Sequence, residues 1–280
     1  MLNADTPVPV VHDKLAPTYG RIFHNLLSST ANTICKTTPT SIRITSTDFD
    51  VVKNEYPTSL EEFDAIIISG SANSAYDDLP WIRKLARWVR DVYEKEPRVK
   101  IFGSCFGHQL VCHALLRDYG VKVEKDPQGW ELGVKEITLH EKFRRTIGPG
   151  GQNEAADTMR LQFVHHDHVV IPDVDALPPS WMTVGSTEHC AVQGVYEPGR
   201  VFTFQGHFEF DRFVNSETIK FFFPAWQPKV LVETLEAIDK DDDWVVAAQM
   251  VLGFFVEKGV GRTSGTHAVV GGLLTPPLRE

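Results

Sequence analysis

The sequence predicts an α/β fold, a doubly wound and mostly parallel sheet with helices on both faces. Two short runs rich in apolar residues, 64–69 and 99–104, lack the polar alternation of a half-exposed strand, as expected of strands buried on both faces. A helical pattern follows each run, and this repeated order of strand and helix is typical of a parallel sheet. With 42% hydrophobic and 23% charged residues in 280, the composition is that of an ordinary globular protein.

The segment after the first run carries clear helix signals. Pro80 suits a first helical turn, Asp77 or Asp78 can cap it, and Glu96–Pro97 ends it. The apolar residues of this segment recur at steps of three and four, which places them on one helix face. They are Ile82, Leu85, Ala86, Val89 and Tyr93.

The second run leads into a tight turn at Gly103–Gly107 and then into a helix at about 108–118. Downstream, the chain is richer in predicted strands, which Gly, Pro and Asn clusters separate. The strand candidates are 134–139, 181–184, 190–196 and 201–204. The polar segment 148–154, between two predicted strands, indicates a loop or an insertion.

Helical spacing returns near the C-terminus, at 229–238 and at 244–257. We therefore expect three parts along the chain. Residues 1–225 form the main domain, 226–260 form helices packed on that same domain, and 261–280, rich in Gly, Thr and Pro, form a loose tail.

Charge and cysteine usage exclude several classes of protein. The 28 basic and 37 acidic residues give a formal net charge of −9, which offers no electrostatic footprint for nucleic acid. No uncharged apolar stretch of about 18 residues occurs, and the N-terminus is not of the signal-peptide type. The four cysteines show no paired spacing, so reduced thiols are expected. These features predict a cytoplasmic protein without nucleic-acid or membrane partners.

The strongest chemical signal is Cys105, a nucleophile between Gly103 and Gly107 where a strand turns into a helix. A side chain at such a turn projects clear of the sheet on strained backbone, and the flanking glycines remove Cβ atoms that would clash. The helix N-terminus favours the thiolate, and the Phe106 amide would point at an oxyanion formed on a carbonyl that Cys105 attacks. The alternative is a buried structural cysteine in a tight turn.

A thiol nucleophile needs a base and an orienting group, and the segment 204–209 supplies both. Residues i and i+2 of an extended segment point to the same side, so His207 and Glu209 can lie together, with Glu209 holding the imidazole tautomer. The alternative is a satisfied polar histidine near a solvated carboxylate.

These two motifs resemble the G-x-C-x-G-x-Q and downstream H-P-E motifs of the class I glutamine amidotransferase family, over about residues 5–225. The resemblance implies the flavodoxin-like fold of that family. It also implies cleavage of a γ-glutamyl amide through a thioester on Cys105, with His207 as general base and acid and Glu209 as its orienting carboxylate.

The same resemblance implies further site residues. The amides of Gly70 and Phe106 would form the oxyanion hole, and Gln109 would contact the bound glutamyl group. The chemistry of the family at this site needs no cofactor, and the implied ligand is a small-molecule γ-glutamyl substrate.

Three further stretches resemble a free-standing branch of the family, the GMP synthetase-like and γ-glutamyl peptidase-like proteins. They are 69–78, 128–133 and 163–169. By this resemblance His165, His166 and Asp167 line the glutamyl pocket. The histidines are also candidate metal ligands, but alternate residues of an extended segment face opposite ways, so adjacent histidines rarely share one ion. We expect no metal.

Two departures from the family pattern carry expectations of their own. Phe208 stands where the family usually has proline, which puts in doubt how rigidly His207 and Glu209 are presented. Only Met1–Ala4 precede the segment Asp5–Pro7, where the family has a full strand, so the first strand is expected to be clipped.

Three functions remain open at this point. One is a thiol-dependent hydrolase or transferase acting on γ-glutamyl amide bonds, as in a glutamine amidotransferase, whose ammonia a synthase partner would accept. Another is a γ-glutamyl peptidase acting on glutathione or its conjugates. The third, of a different class, is a binding or regulatory member of the family that has lost turnover.

Overall fold

The computed structural model describes residues 1–37, 41–147 and 156–257. The helices are α1 (Pro9–Lys14), α2 (Tyr19–Thr37), α3 (Pro80–Lys95), α4 (Phe106–Leu116), α5 (Glu141–Ile147), α6 (Arg212–Phe222), α7 (Pro228–Ile238) and α8 (Trp244–Val256). The strands are β1 (Leu2–Asn3), β2 (Phe49–Asp50), β3 (Ala65–Ile68), β4 (Lys100–Ser104), β5 (Lys122–Lys125), β6 (Glu131–Leu139), β7 (Thr158–His165), β8 (Asp167–Val170), β9 (Met182–Thr183), β10 (Gly185–Ser186), β11 (Val195–Glu197) and β12 (Val201–Phe204). Across these ranges, no helix is both long and apolar enough to cross a membrane.

The central sheet has the strand order β2-β1-β3-β4-β12-β11-β9. Its first five strands run parallel to their neighbours, and β11 and β9 add an antiparallel edge. The chain also forms two small antiparallel sheets, β10-β6-β7 and β5-β8. The predicted α/β fold with a mostly parallel sheet is confirmed.

Apolar residues alternate along the central strands and so build a core on each face of the sheet. On β4, Ile101 faces one core and Phe102 faces the other. Helices α3 and α4 cover the first core, to which α4 contributes Leu110. Helices α2 and α8 cover the second core, to which α8 contributes Phe254. The strands are therefore buried on both faces, as their unbroken apolar runs predicted.

The helices after residue 225 contact the same body as the sheet. Helix α8 packs beside α2, and α7 lies against β6 with Ile238 buried. The division of the chain at residue 225 stays a prediction. The expected loose tail 261–280 and the expected polar segment 148–154 lie outside the described residues.

Strand β1 is only two residues long and occupies the place between β2 and β3. Leu2 pairs with Phe49 on one side and with Ile68 on the other. The Ser69 amide donates to the Leu2 carbonyl at 3.1 Å, and the Ser69 hydroxyl accepts from the Ala4 amide at 2.9 Å. The first strand is short, as predicted, but its backbone groups find partners on both sides.

The residues expected to cap the start of helix α3 have other partners. Helix α3 begins at Pro80 as predicted, but no side chain caps it. Asp77 instead accepts a hydrogen bond from the Ser74 amide at 2.9 Å, and Asp78 pairs with Arg83. Both carboxylates thus have other partners.

The strand predicted at 190–196 is wrong over most of its length. Strand β11 covers only Val195–Glu197. Cys190 ends a turn in which its carbonyl accepts from the Thr187 amide at 2.9 Å, and the Gln193 amide donates to the Gly185 carbonyl at 2.9 Å outside any named strand pairing. Strand β6, in contrast, begins at Glu131, three residues before the strand predicted from 134.

Candidate active site

Cys105 occupies the turn between β4 and α4 with a φ angle of +51°. Residues other than glycine rarely adopt this region, so the backbone is strained there. A Cβ atom on Gly103 would lie 2.5 Å from the Gly107 carbonyl oxygen, and one on Gly107 would lie 2.4 Å from the Ile68 carbonyl oxygen. The turn therefore requires both glycines that flank the cysteine.

His207 and Glu209 lie together just beyond the end of β12. Nδ1 of His207 is 2.8 Å from Oε1 of Glu209, and the Ser104 hydroxyl donates to the same oxygen at 2.8 Å. The His207 amide donates to the Gln162 carbonyl at 2.8 Å, and the Phe210 ring stacks on the imidazole with centroids 4.0 Å apart. These contacts fix the ring, whose Nε2 has no hydrogen-bond partner among the described residues.

Phe208 anchors this segment in the core. Its side chain is 1% exposed. It packs edge-on against Phe23, Phe102 and Phe204, with ring centroids 5.6, 5.7 and 6.4 Å away. A buried aromatic side chain thus holds the two flanking site residues where the family uses a proline.

The charges around His207 favour its protonated form. Burial lowers the pKa of His207, but the carboxylate of Glu209 and the thiolate of Cys105 outweigh burial and raise the pKa above its ordinary value. The protonated imidazole of His207 can therefore act as the acid partner of a cysteine nucleophile.

Seven of the nine site residues predicted from the sequence line one cavity of about 200 Å³, and Glu209 and Phe106 do not. Those that line it are Gly70, Cys105, Gln109, His165, His166, Asp167 and His207. Glu209 does not line the cavity and reaches it only through His207. Phe106 is the first residue of α4, so its amide has no acceptor within the helix. A Cβ atom on Gly70 would lie 3.2 Å from Cε1 of His207, so the Gly70 backbone adjoins the imidazole.

The side-chain amide of Gln109, in the cavity lining, is held by acceptors of the protein itself. Its Nε2 donates to the Asp167 carbonyl at 3.0 Å and to Oε1 of Gln205 at 3.0 Å. Both hydrogens of the amide are therefore used, and only the amide oxygen of Gln109 is left for a ligand.

His165, which lines the cavity, forms a buried pair with Glu131 that the sequence analysis did not predict. Nδ1 of His165 lies 2.9 Å from the Asp167 carbonyl, and Nε2 lies 2.8 Å from Oε2 of Glu131. Burial raises the pKa of Glu131, but hydrogen bonds from His165, Thr187 and Gln193 outweigh it and lower the pKa. Both ring nitrogens of His165 lie within hydrogen-bond distance of an oxygen.

The Asp167 carboxylate is also engaged within the protein. It accepts from the hydroxyls of Ser74 at 2.5 Å and of Tyr76 at 3.1 Å. In the part of the chain that the structure describes, no three His, Cys, Asp or Glu side chains are placed to hold a metal ion. All four cysteines are free thiols.

Gln162 on β7 ties the His207 backbone to the C-terminal helices. The Asn215 side chain on α6 donates to Oε1 of Gln162 at 2.8 Å. Nε2 of Gln162 donates to the Ile238 carbonyl at 3.0 Å and to the Asp242 carboxylate at 3.2 Å. The backbone carbonyl that holds His207 therefore belongs to a residue whose side chain is bound by α6, by the end of α7 and by the turn after α7.

The cavity has further lining residues that were not predicted individually. They are Asp5, Tyr19, Ser71, Ala72, Asn73, Trp130, Val164, Phe210, Thr218, Phe222 and Phe223. Five of them lie in the stretches 69–78, 128–133 and 163–169 that resemble the free-standing branch, and Phe210 follows Glu209. These five are Ser71, Ala72, Asn73, Trp130 and Val164. Most of the others come from distant segments, and no local spacing in the sequence could have joined them.

The fold and this site together define the class of protein. The chain belongs to the glutamine amidotransferase class-I family, whose model matches residues 19–223. A glutamine amidotransferase-like protein of Schizosaccharomyces pombe is 35% identical over 225 residues, which cover 79% of this chain and 82% of the relative. Gamma-glutamyl peptidase 2 of Arabidopsis thaliana is 30% identical over 175 residues, which cover 61% of this chain and 64% of that protein.

Solved structures confirm the fold. A glutamine amido transferase from Methylobacillus flagellatus superposes with a TM-score of 0.59 over 79% of this chain and 87% of that chain, at 21% sequence identity. The class I glutamine amidotransferase fold predicted from the resemblance is therefore present.

Proposed function

We propose that this protein is a cysteine-dependent hydrolase of γ-glutamyl amide bonds, of the γ-glutamyl peptidase type. The observation that carries the proposal is the His207–Glu209 pair, joined at 2.8 Å through Nδ1 of the imidazole. His207 lines the same cavity as Cys105, and its Nε2 has no hydrogen-bond partner among the described residues. Membership of the family and the relatives named as peptidases support the γ-glutamyl substrate class.

The proposed reaction has two halves. The Cys105 thiolate attacks the γ-carbonyl carbon, the C–N bond breaks, and the His207 imidazolium gives its proton to the departing amine. A water molecule then attacks the carbonyl carbon of the thioester and gives a proton to His207, and the C–S bond breaks. Glutamate leaves, and the Cys105 thiolate with its imidazolium partner is restored.

The negative oxygen formed in each half needs hydrogen-bond donors. We assign this role to the amides of Gly70 and Phe106. Support comes from the position of Gly70 beside His207 and from the place of Phe106 at the start of α4, where its amide is free of helix hydrogen bonds.

Two other functions remain competitors of this proposal. In one, the same chemistry acts on glutamine, and a synthase partner takes up the ammonia. In the other, the chain is an inactive binding member. The second is less well supported, because Phe208 is packed in the core and the His207–Glu209 contact is formed.

Glutamate release from glutamine, glutathione and an S-conjugate of glutathione tests the proposal. We expect release by the unmodified protein and by Cys35→Ala, whose cysteine lies outside the cavity, but none by Cys105→Ala. Release by Cys105→Ala at the wild-type rate would refute the mechanism. Release from glutamine alone would favour the role that needs a synthase partner.

A further inference from the structure

Large apolar side chains to which the proposed reaction gives no role form part of the cavity lining. We call them the apolar wall; it consists of Tyr19, Val164, Phe210, Phe222, Phe223 and Trp130.

The apolar wall starts at the proposed base. The ring of Phe210 stacks on His207, and Tyr19 stacks on Phe210 with centroids 5.8 Å apart. At its other end, Phe223 packs edge-on against Trp130 with centroids 4.8 Å apart. Trp130 also stacks on His166 with centroids 4.3 Å apart and is 39% exposed, so this part of the wall lies near solvent.

The rest of the cavity lining is mostly polar. It includes Asp5, Ser71, Asn73, Gln109 and Asp167. The α-amino and α-carboxyl groups of a γ-glutamyl substrate are charged, so they belong on this polar side. Of the residues that the structure describes, none that lines the cavity is Lys or Arg.

The path of the leaving group follows from proton transfer. A departing nitrogen must lie within hydrogen-bond distance of Nε2 of His207 to receive its proton. Of the wall residues, Phe210 stacks on that imidazole and Tyr19 stacks on Phe210, so a substituent on the nitrogen meets the apolar wall on that side. An ammonia leaving group is too small to cover the apolar wall, so wall residues such as Phe222, which is 46% exposed, would stay in contact with water.

We propose that the apolar wall is the leaving-group subsite and that the preferred substrates are γ-glutamyl amides of aromatic or bulky apolar amines. This inference rests on the proposed hydrolase function. It also predicts that unmodified glutathione is a poorer substrate than an uncharged aromatic amide, since its leaving dipeptide ends in a carboxylate that no Lys or Arg of the described lining can pair with.

Two substrates with similar chemistry test the inference, γ-glutamyl benzylamide and γ-glutamyl methylamide. Both release an alkylamine, so the difference between them reports the ring. We expect kcat/KM to be at least about tenfold higher for the benzylamide, from the apolar area that the ring buries.

Phe222→Ala should lower the ratio of the two kcat/KM values about fivefold by shortening the wall. The matched control is Tyr119→Ala, which removes an aromatic ring that, like that of Phe222, is 46% exposed; Tyr119 does not line the cavity. This control should leave the ratio unchanged. Equal kcat/KM values for the two amides, or a ratio that Phe222→Ala does not alter, would overturn the subsite while leaving the hydrolase standing.

Failure of the proposed function has a different signature. If neither amide is hydrolysed, titration calorimetry of the two amides with Cys105→Ala still tests the wall. Tighter binding of the benzylamide by about tenfold supports the subsite. Equal affinity, or no binding of either amide, overturns it.

Discussion

Replacement of Phe208 by alanine tests whether core packing holds the site. Phe208 is 1% exposed and contacts three other phenylalanine rings. A buried Phe→Ala change costs about 3–5 kcal/mol, because apolar burial is lost and a cavity remains. Since whole domains are stable by about 5–15 kcal/mol, this loss is a large fraction of the total.

Urea unfolding followed by tryptophan fluorescence measures the change. We expect Phe208→Ala to lower the free energy of unfolding by about 3–5 kcal/mol. It should also lower kcat under conditions in which the variant is folded, because the segment from His207 to Glu209 loses its anchor. Phe221→Ala, at an exposed position, serves as the control and should change stability by less than about 0.5 kcal/mol. A loss below about 1 kcal/mol in Phe208→Ala would refute the reasoning.

Two further predictions concern the site. Glu209→Gln removes a charge that raises the pKa of His207, so the alkaline limb of the kcat/KM profile against pH should move to lower pH and kcat should fall about 10²–10⁴-fold; an unmoved limb would contradict the assigned role of Glu209. Gly107→Ala would place a Cβ atom 2.4 Å from the Ile68 carbonyl oxygen, so it should destabilise the protein by at least about 2 kcal/mol in the same urea assay, and wild-type stability in that variant would show that the turn adapts.

Local signals in the sequence predicted the part of the fold that carries the nucleophile. The apolar runs that became β3 and β4, the helix between them and the turn at Cys105 depend on residues close in the chain. The approach of His207 to Glu209 was also predictable, because the two are separated by one residue in an extended segment.

Contacts set by strand register could not be predicted in this way. Glu131 meets His165 because β6 and β7 pair at that position, and a single sequence does not fix such a register. Likewise, Phe208 departs from the proline of the family motif, and the sequence does not show what positions the segment instead. The packing of Phe208 against other phenylalanine rings is a tertiary contact. The apolar wall is assembled from segments far apart in the chain.

The support of His207 by Gln162 determines which parts of the chain the site needs. The family model ends at residue 223, whereas Ile238 and Asp242, which bind the Gln162 side chain, lie beyond it. The proposed base is thus oriented in part by residues that the shared family pattern does not contain. Placing Cys105, His207 and Glu209 in another family member would reproduce the motif. The imidazole would be equally well supported only if α7 and the turn after it were transferred too.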